Sequence, residues 1–285
     1  MSGIVLVDKP PGISSHDAIY QVRRALGIRK IGHTGTLDPI ATGLLVMAVA
    51  EATRFLPYLD TNPKVYEGAA QLGISTTTQD SEGEVIAERP IEGMNLDTIK
   101  SAASRFIGEI EQVPPMFSAI KIDGKRLYKL ARQGLEVERK PRTVSVSEFV
   151  PLAYEAGRLA FRVACSTGTY VRTLVHDLGE ALGTGGHMTA LRRTSMGGFQ
   201  VAHARLPEDC GVGDLLPLEE ALSPIPTIRL PEDVALRARQ GNEFAFAGEV
   251  PGTFLGLLDD AGFFAVAKKL EEGRWRPERV VPPRH

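Results

Sequence analysis

Apolar positions mark out most of the elements of this chain. Ile4-Val5-Leu6-Val7 is an unbroken apolar run of strand length, and Asp8-Lys9-Pro10-Pro11-Gly12 breaks it. Ser14 or Ser15 can cap a helix with Ile19, Val22 and Leu26 on one face, and Gly27 closes it. Residues 32–39 follow neither the helical nor the strand period and read as a loop, whereas residues 44–50 are apolar throughout and read as buried. Residues 66–74 alternate weakly as a strand. Residues 76–83 have turn composition, and residues 84–88 predict the returning arm of a hairpin. Asn95 can cap a helix running to residue 106, with Ile99, Ala102, Ala103 and Phe106 in one stripe. Residues 118–122 and the Asp123-Gly124 turn predict another hairpin, and residues 126–133 a helix stopped by Gly134. Residues 143–150 and 159–165 read as strands, and residues 170–182 as a helix with Val171, Leu174, Leu178 and Leu182 on one side. Strands separated by single helices, with several hairpin signals, define a mixed α/β or α+β domain.

The pattern changes near residue 207. An acidic, proline-rich stretch runs to Pro226, and beyond it short strand-like runs are punctuated by Gly241, Gly248, Gly252, Gly256, Gly262 and Gly273. A small β-rich domain is expected there, which agrees with 285 residues at about 150 residues per domain. With 43% hydrophobic and 24% charged residues, neither a disordered nor a fibrous chain is expected. The two cysteines, Cys165 and Cys210, are too few for a disulfide scaffold, a four-cysteine zinc site or a four-cysteine iron–sulfur cluster, and they favour a reducing, cytoplasmic compartment. The longest apolar run, residues 44–50, stops at Glu51, well short of the ~20 residues of a membrane span. No basic leader precedes the first strand, so neither secretion nor membrane insertion is expected.

A net charge of −2 by itself argues against a nucleic-acid partner, but the charge is unevenly spread. Residues 206–260 carry eleven acids and three bases, a net of −8, leaving +6 on the remainder. Residues 121–143 carry eight bases (Lys121, Lys125, Arg126, Lys129, Arg132, Arg139, Lys140 and Arg142) against Asp123, Glu136 and Glu138. That stretch reads either as a phosphate-binding surface or as a solvated helix face.

Among chemical motifs, His33, His176, His187 and His203 lack metal-ligand spacing, and GxxxxGK[ST], GxGxxG and GxSxG are all absent. Kinase, dehydrogenase and hydrolase readings are weakened accordingly. Pro39 pushes Asp38 toward extended backbone, between Leu37 and Ile40. A partly desolvated carboxylate there can serve as nucleophile or general base, or can simply accept turn hydrogen bonds as Asp-Pro steps do. Residues 166–173 (Ser-Thr-Gly-Thr-Tyr-Val-Arg-Thr) form a strand-to-helix junction that suits an anion or an ordinary helix cap, and Arg172 can fork onto a carboxylate.

Five segments, in order, resemble the TruB family of tRNA pseudouridine-55 synthases. They are Lys9-Pro10-Pro11-Gly12; residues 32–39 with Ala41-Thr42-Gly43; Lys64-Val65-Tyr66-Glu67; Pro114-Pro115-Met116-Phe117-Ser118-Ala119; and Gly168-Thr169-Tyr170-Val171-Arg172. The resemblance implies an α+β fold with a mainly antiparallel catalytic domain (residues 1–224, with an RNA-binding insertion at 116–143) and a PUA-like RNA-binding domain (225–285). It implies a cytoplasmic monomer that isomerises uridine 55 in the T stem-loop of tRNA, without cofactor, metal or membrane. Asp38 would be the nucleophile, and Arg172 would pair with it and depress its pKa. Tyr66 would stack on a flipped uracil and assist proton removal from C5. Tyr170 and Leu191 would contact the base, His33 would enter the T-loop, and Lys9 and Pro10 would support the pocket floor. Lys121, Lys125, Arg126, Lys129, Arg132 and Arg142 would meet the RNA backbone. Residues 206–260 are too acidic for that work, so any contact by the C-terminal domain is expected from Lys268, Lys269, Arg274, Arg276 and Arg279, with Trp275 either stacking or buried.

Overall fold

The computed structural model describes the chain apart from residues 1, 119–120, 123, 132, 136, 247, 272 and 283–285, and leaves out the side chains of 121, 122, 125, 126, 128 and 129. The first apolar run forms β1 (Gly3–Lys9). Ser14 then caps α1 (Ser15–Leu26) by accepting from the Asp17 amide while Asp17 accepts from Ser14 N at 2.9 Å, and Gly27 at φ +67° ends the helix. Part of the expected loop is a short strand: β2 (Ile31–Thr34) pairs with β3 (Ala41–Val49). Its polar, glycine-containing sequence carries no period because only Ile31 is buried.

Along the chain follow β4 (Lys64–Leu72), the hairpin β5 (Ile74–Thr76) and β6 (Val85–Glu88), α2 (Leu96–Ala103) capped by Asn95, and β7 (Gly108–Gln112). The basic segment holds β8 (Lys121–Ile122), β9 (Lys125–Arg126) and α3 (Leu127–Ala131). A long hairpin, β10 (Arg142–Glu155) and β11 (Arg158–Cys165), leads into α4 (Val171–Ala181), β12 (Gly186–Met196) and β13 (Phe199–Gln200). The C-terminal part comprises α5 (Leu218–Ala221), β14 (Thr227–Arg229), α6 (Glu232–Arg239), β15 (Phe244–Ala245), β16 (Phe254–Asp259), β17 (Gly262–Glu271) and β18 (Arg274–Val280).

The fold is mixed α+β. A nine-stranded sheet has the order β1-β3-β12-β4-β11-β10-β7, with β2 on β3 and β13 on β12. Its pairings are antiparallel except for β3 with β12, which run parallel over residues 41–43 and 191–193. Both faces of β3 are covered: Leu44, Val46 and Ala48 pack with Phe55 and Met196, while Leu45, Met47 and Val49 pack with Ile19 and Val22 of α1. Two-sided burial explains why this strand is apolar without alternation. Helices α2 and α4 cover the other half, with Ile99, Leu174 and Leu178 against Phe149, Phe161 and Val163. The second sheet, β14-β16-β17-β18-β15, holds its own core around Leu255, Phe264 and Trp275. It meets the 3₁₀ helix Ala50–Tyr58 that follows β3 through edge-on ring pairs, Phe55–Phe263 at 5.8 Å and Tyr58–Phe254 at 5.1 Å.

The central strand β12 and helix α6 were not among the predicted elements. β12 reads Gly-His-Met-Thr-Ala-Leu-Arg-Arg-Thr-Ser-Met, and its inward positions include Arg193 and Ser195, so polarity hides a strand that lies in the middle of the sheet.

Candidate active site

Asp38 stands in the turn between β2 and β3, and its backbone is anchored on both sides. Ser15 Oγ accepts from Leu37 N at 2.8 Å and donates to Leu37 O at 2.9 Å, Gly12 N donates to Pro39 O at 3.0 Å, and Ala41 N donates to Asp38 O at 3.0 Å. Lys9, fully buried, donates to the carbonyls of Pro10 (2.9 Å), Ile13 (2.7 Å) and Pro39 (3.3 Å). Burial pulls its ammonium down to about 8, against the opposing pull of Asp38, Asp17 and Glu82. Lys9 and Pro10 thus brace the turn from below rather than line the pocket.

The second residue of α4 is Arg172, whose side chain is 6% exposed and bridges two carboxylates. Its Nη2 lies 3.3 Å from Asp38 Oδ2, its Nη1 lies 3.2 Å from Asp80 Oδ2, and Nη2 also donates to the Phe117 carbonyl. Asp80, with a side chain 2% exposed, was not anticipated. It sits in the turn between β5 and β6, where Thr78 Oγ1 and Glu82 N donate to its carboxylate. The turn is fastened to β12 by Ser81 N to Met188 O (3.0 Å) and Met188 N to Gln79 O (3.0 Å), and to α4 by Thr173 Oγ1 to Gln79 Oε1 (2.7 Å). In sequence, an Asp two residues after a Thr in a polar turn looks like ordinary turn chemistry.

The Asp38 carboxylate opens into a pocket of about 270 Å³, near the lower end of the roughly 300–1,000 Å³ range of small-ligand sites. Tyr66, Met188 and Leu191 give it an apolar wall, and Tyr170 and Arg172 line it as well. The predicted Asp38, Tyr66, Tyr170, Arg172 and Leu191 therefore converge. A fully buried Arg193 supports the wall: Nε donates to Leu44 O at 2.7 Å, Nη2 to Gly35 O at 2.7 Å, and Nη1 reaches the Tyr66 hydroxyl at 3.5 Å. Gln112 holds the residue before α4 at two points, accepting from Tyr170 N at 2.8 Å and donating to Tyr170 O at 3.1 Å. Neither Arg193 nor Gln112 lies within the five matching segments, and the sequence carries no signal for these roles.

The electrostatics correct one expectation. Arg172 does pull the Asp38 pKa down, but desolvation is the larger effect and Asp80 adds to it, so the carboxyl lies above its ordinary value. The side chain keeps 42% of its surface open and lines the pocket. Burial likewise raises the phenols of Tyr66 and Tyr170.

Other predicted residues lie apart. His33 is half-buried on β2, outside the pocket lining, with no hydrogen-bond partner for its Nδ1 among the described residues. Arg142 is exposed at the start of β10. Arg132 lies outside the described residues, as do the side chains of Lys121, Lys125, Arg126 and Lys129. In the C-terminal sheet, Arg274 and Arg276 both pair with Glu243, so their charges are already answered; Trp275 is buried. Among the described residues, no three His, Cys, Asp or Glu side chains form a metal-binding cluster, and no helix is long and apolar enough to cross a membrane.

Comparison with known proteins identifies the family of the chain. The family described as TruB family pseudouridylate synthase (N terminal domain) matches residues 23–171, and the tRNA pseudouridylate synthase B C-terminal domain matches residues 172–208. A protein named tRNA pseudouridine synthase B from Streptococcus thermophilus is 45% identical over 270 residues, covering 90% of this chain and 92% of its own. One of the same name from Burkholderia lata is 43% identical over 293 residues, covering 99% and 90%. Among solved structures, an H/ACA RNP bound to a substrate RNA containing 2′-deoxyuridine matches with a TM-score of 0.72 at 25% identity, covering 99% of this chain and 85% of that one. A Cbf5-Nop10-Gar1 complex matches with a TM-score of 0.71 at 26% identity, covering 95% and 79%. The chain belongs to the TruB family of pseudouridylate synthases.

Proposed function

We propose that this protein isomerises uridine 55 in the T-loop of tRNA to pseudouridine, with Asp38 as the nucleophile. The observation that carries the reading is the Asp38 carboxylate, open to a nucleobase-sized pocket and bridged by Arg172 to a second, buried carboxylate. The reaction breaks N1–C1′, turns the base and forms C5–C1′; the proton on C5 leaves and N1 gains one, so atoms balance without a redox partner. A base stacked in folded RNA reaches the pocket only by flipping out, at a cost of a few kcal/mol. Tyr66 and Leu191 receive its faces, and Tyr170 contacts it from the start of α4. Arg172 holds the carboxylate in orientation and opposes the desolvation that favours its protonated form. The Tyr66 phenol, raised by burial, keeps its proton at neutral pH; it serves as a stacking wall whose oxygen can accept, not as a phenolate base.

His33 would fill stacking space vacated by the flipped nucleotide. The insertion at 116–143 would close on the RNA backbone through Lys121, Lys125, Arg126, Lys129, Arg132 and Arg142. The division into a catalytic domain (1–224) and a PUA-like RNA-binding domain (225–285) belongs to the same proposal.

The test is tritium release from tRNA carrying [5-³H]uridine, with the modified position mapped by sequencing. Wild-type protein is expected to release tritium and modify one T-loop uridine, and Asp38→Asn to bind tRNA without releasing any. Turnover by Asp38→Asn, or product at another position, overturns the reading.

A further inference from the structure

Among the described residues, Lys64 in the pocket wall has no counter-ion. Lys64, the first residue of β4, is 6% exposed and lines the pocket. Among the described residues it makes no hydrogen bond or ion pair. Its neighbour is another cation: a Cβ built on Gly35 would lie 3.3 Å from both Lys64 Nζ and Arg193 Nη1. Arg193 is satisfied by two carbonyls, but Lys64 is not. A buried ammonium beside a guanidinium, without an acceptor, is an unfavourable arrangement that an incoming anion would relieve.

The surroundings of Lys64 supply the rest of an anion site. Lys64 is the cross-strand partner of Cys165, the residue directly before the 166–169 loop. Asn62 Oδ1 accepts from Thr167 N at 2.8 Å, so one short segment carries the lysine and fixes the loop. The loop lines the pocket; Gly168, at φ +96°, has open space where a Cβ would point. The eleven-residue helix α4 starts there with no side-chain cap from Tyr170, leaving amides of its first turn available to an anion.

We infer that Lys64, the 167–169 loop and the uncapped start of α4 together bind a phosphodiester flanking the nucleotide whose base enters the pocket. This deepens the isomerase reading and rests on it. Burial lowers the lysine to about 8, so the ammonium predominates at pH 7 and affinity is expected to fall as pH rises through that value.

The experiment measures binding of a T stem-loop RNA in the Asp38→Asn background, so that the RNA is not turned over, with a neutral methylphosphonate at the linkage 5′ or 3′ of the target uridine. Asp38→Asn/Lys64→Gln is expected to bind unmodified RNA roughly 10- to 100-fold more weakly than Asp38→Asn, the worth of one charge-assisted hydrogen bond. Its slope of log K against log salt should be smaller by about 0.7–0.9, one phosphate contact. One of the two methylphosphonates should weaken Asp38→Asn by a similar factor and the double variant by less than about twofold, because the contact is already gone. Lys64→Arg should recover most of the affinity. Unchanged affinity and slope in Lys64→Gln, or additive losses with both methylphosphonates, overturns the assignment. If Lys64→Gln does not fold, the absence of any effect of either methylphosphonate on Asp38→Asn overturns it equally. Failure of wild-type protein to release tritium from unmodified RNA refutes the isomerase reading instead, whatever the binding data show.

Discussion

Replacing Asp80 by Asn keeps the shape of a buried side chain and removes one charge from the Asp38–Arg172–Asp80 bridge. At 3.2 Å, an effective dielectric constant near 20 gives the Arg172–Asp80 pair a gross attraction of about 5 kcal/mol. The amide still accepts a hydrogen bond, and Arg172 keeps Asp38 as counter-ion, so the net loss should be about 2–3 kcal/mol, below the 3–5 kcal/mol of a fully orphaned buried ion. That corresponds to a fall in Tm of roughly 4–12 °C. With one anchor gone, the guanidinium can turn away from Asp38; displacement on the scale of 1 Å should lower kcat about 10- to 100-fold. The sign of the pH effect is the sharper test. Asp80 is one of the charges that raise Asp38, so Asp80→Asn should move the acid limb of the tritium-release rate to lower pH. Arg172→Met removes the group that lowers Asp38 and should move the limb to higher pH. Wild-type melting and turnover in Asp80→Asn, or limbs that move in the same direction in the two variants, would refute the bridge as the determinant of Asp38 ionisation.

Three further outcomes follow from the geometry. The raised Asp38 carboxyl binds its proton more tightly folded than unfolded, so its ionised form costs stability that appears as pH rises from the unfolded to the folded value. Asp38→Asn should therefore melt above wild type at pH 7.5 and with it near pH 3; a lower Tm at pH 7.5 would contradict this. Gly43 has φ +96° and would place a Cβ 2.3 Å from the Arg193 carbonyl oxygen, so Gly43→Ala should cost at least about 3 kcal/mol in urea unfolding; an unchanged midpoint would contradict it. Gln112→Ala leaves Tyr170 N without its acceptor, while Tyr170 O keeps the Leu174 amide, and should cost about 1–2 kcal/mol with reduced turnover, whereas Gln112→Glu should keep the acceptor side of the clamp and lose less.

What the sequence disclosed depended on whether the relevant force was local. Capping at Ser14 and Asn95, the glycine at residue 27 and the turn at 76–83 act within a few residues, and the structure has them where the pattern put them. β3 was legible as buried because both its faces are covered. β12 was not, because β3 and β4, which flank it, lie more than a hundred residues away and its buried Arg193 is satisfied by β3. The same division runs through the pocket. Asp38, Tyr66 and Arg172 belong to local motifs, and the fold brings them together. Asp80, Arg193, Gln112 and Lys64 owe their positions to tertiary contacts; Lys64, for example, is an ordinary strand-start lysine until β12 and the Thr167 loop close around it. The direction of the Asp38 shift is hidden from the sequence for a related reason. A sequence can propose a partner charge, but the extent of desolvation depends on everything packed around the carboxylate.

The parallel seam between β3 and β12 determines when during chain growth a working pocket can exist. Arg193 closes onto Gly35, 158 residues earlier in the chain, and onto Leu44, 149 residues earlier. Loops of that length form slowly and gain nothing until the last strand slides in. A chain still on the ribosome with residues beyond 185 unmade lacks the strand that joins β3 to β4, and with it Met188, Leu191 and Arg193 of the pocket lining, so it has no chamber for a base. Competence arrives late and all at once, and internal deletions in the second half of the large sheet should abolish it as completely as the loss of Asp38 itself.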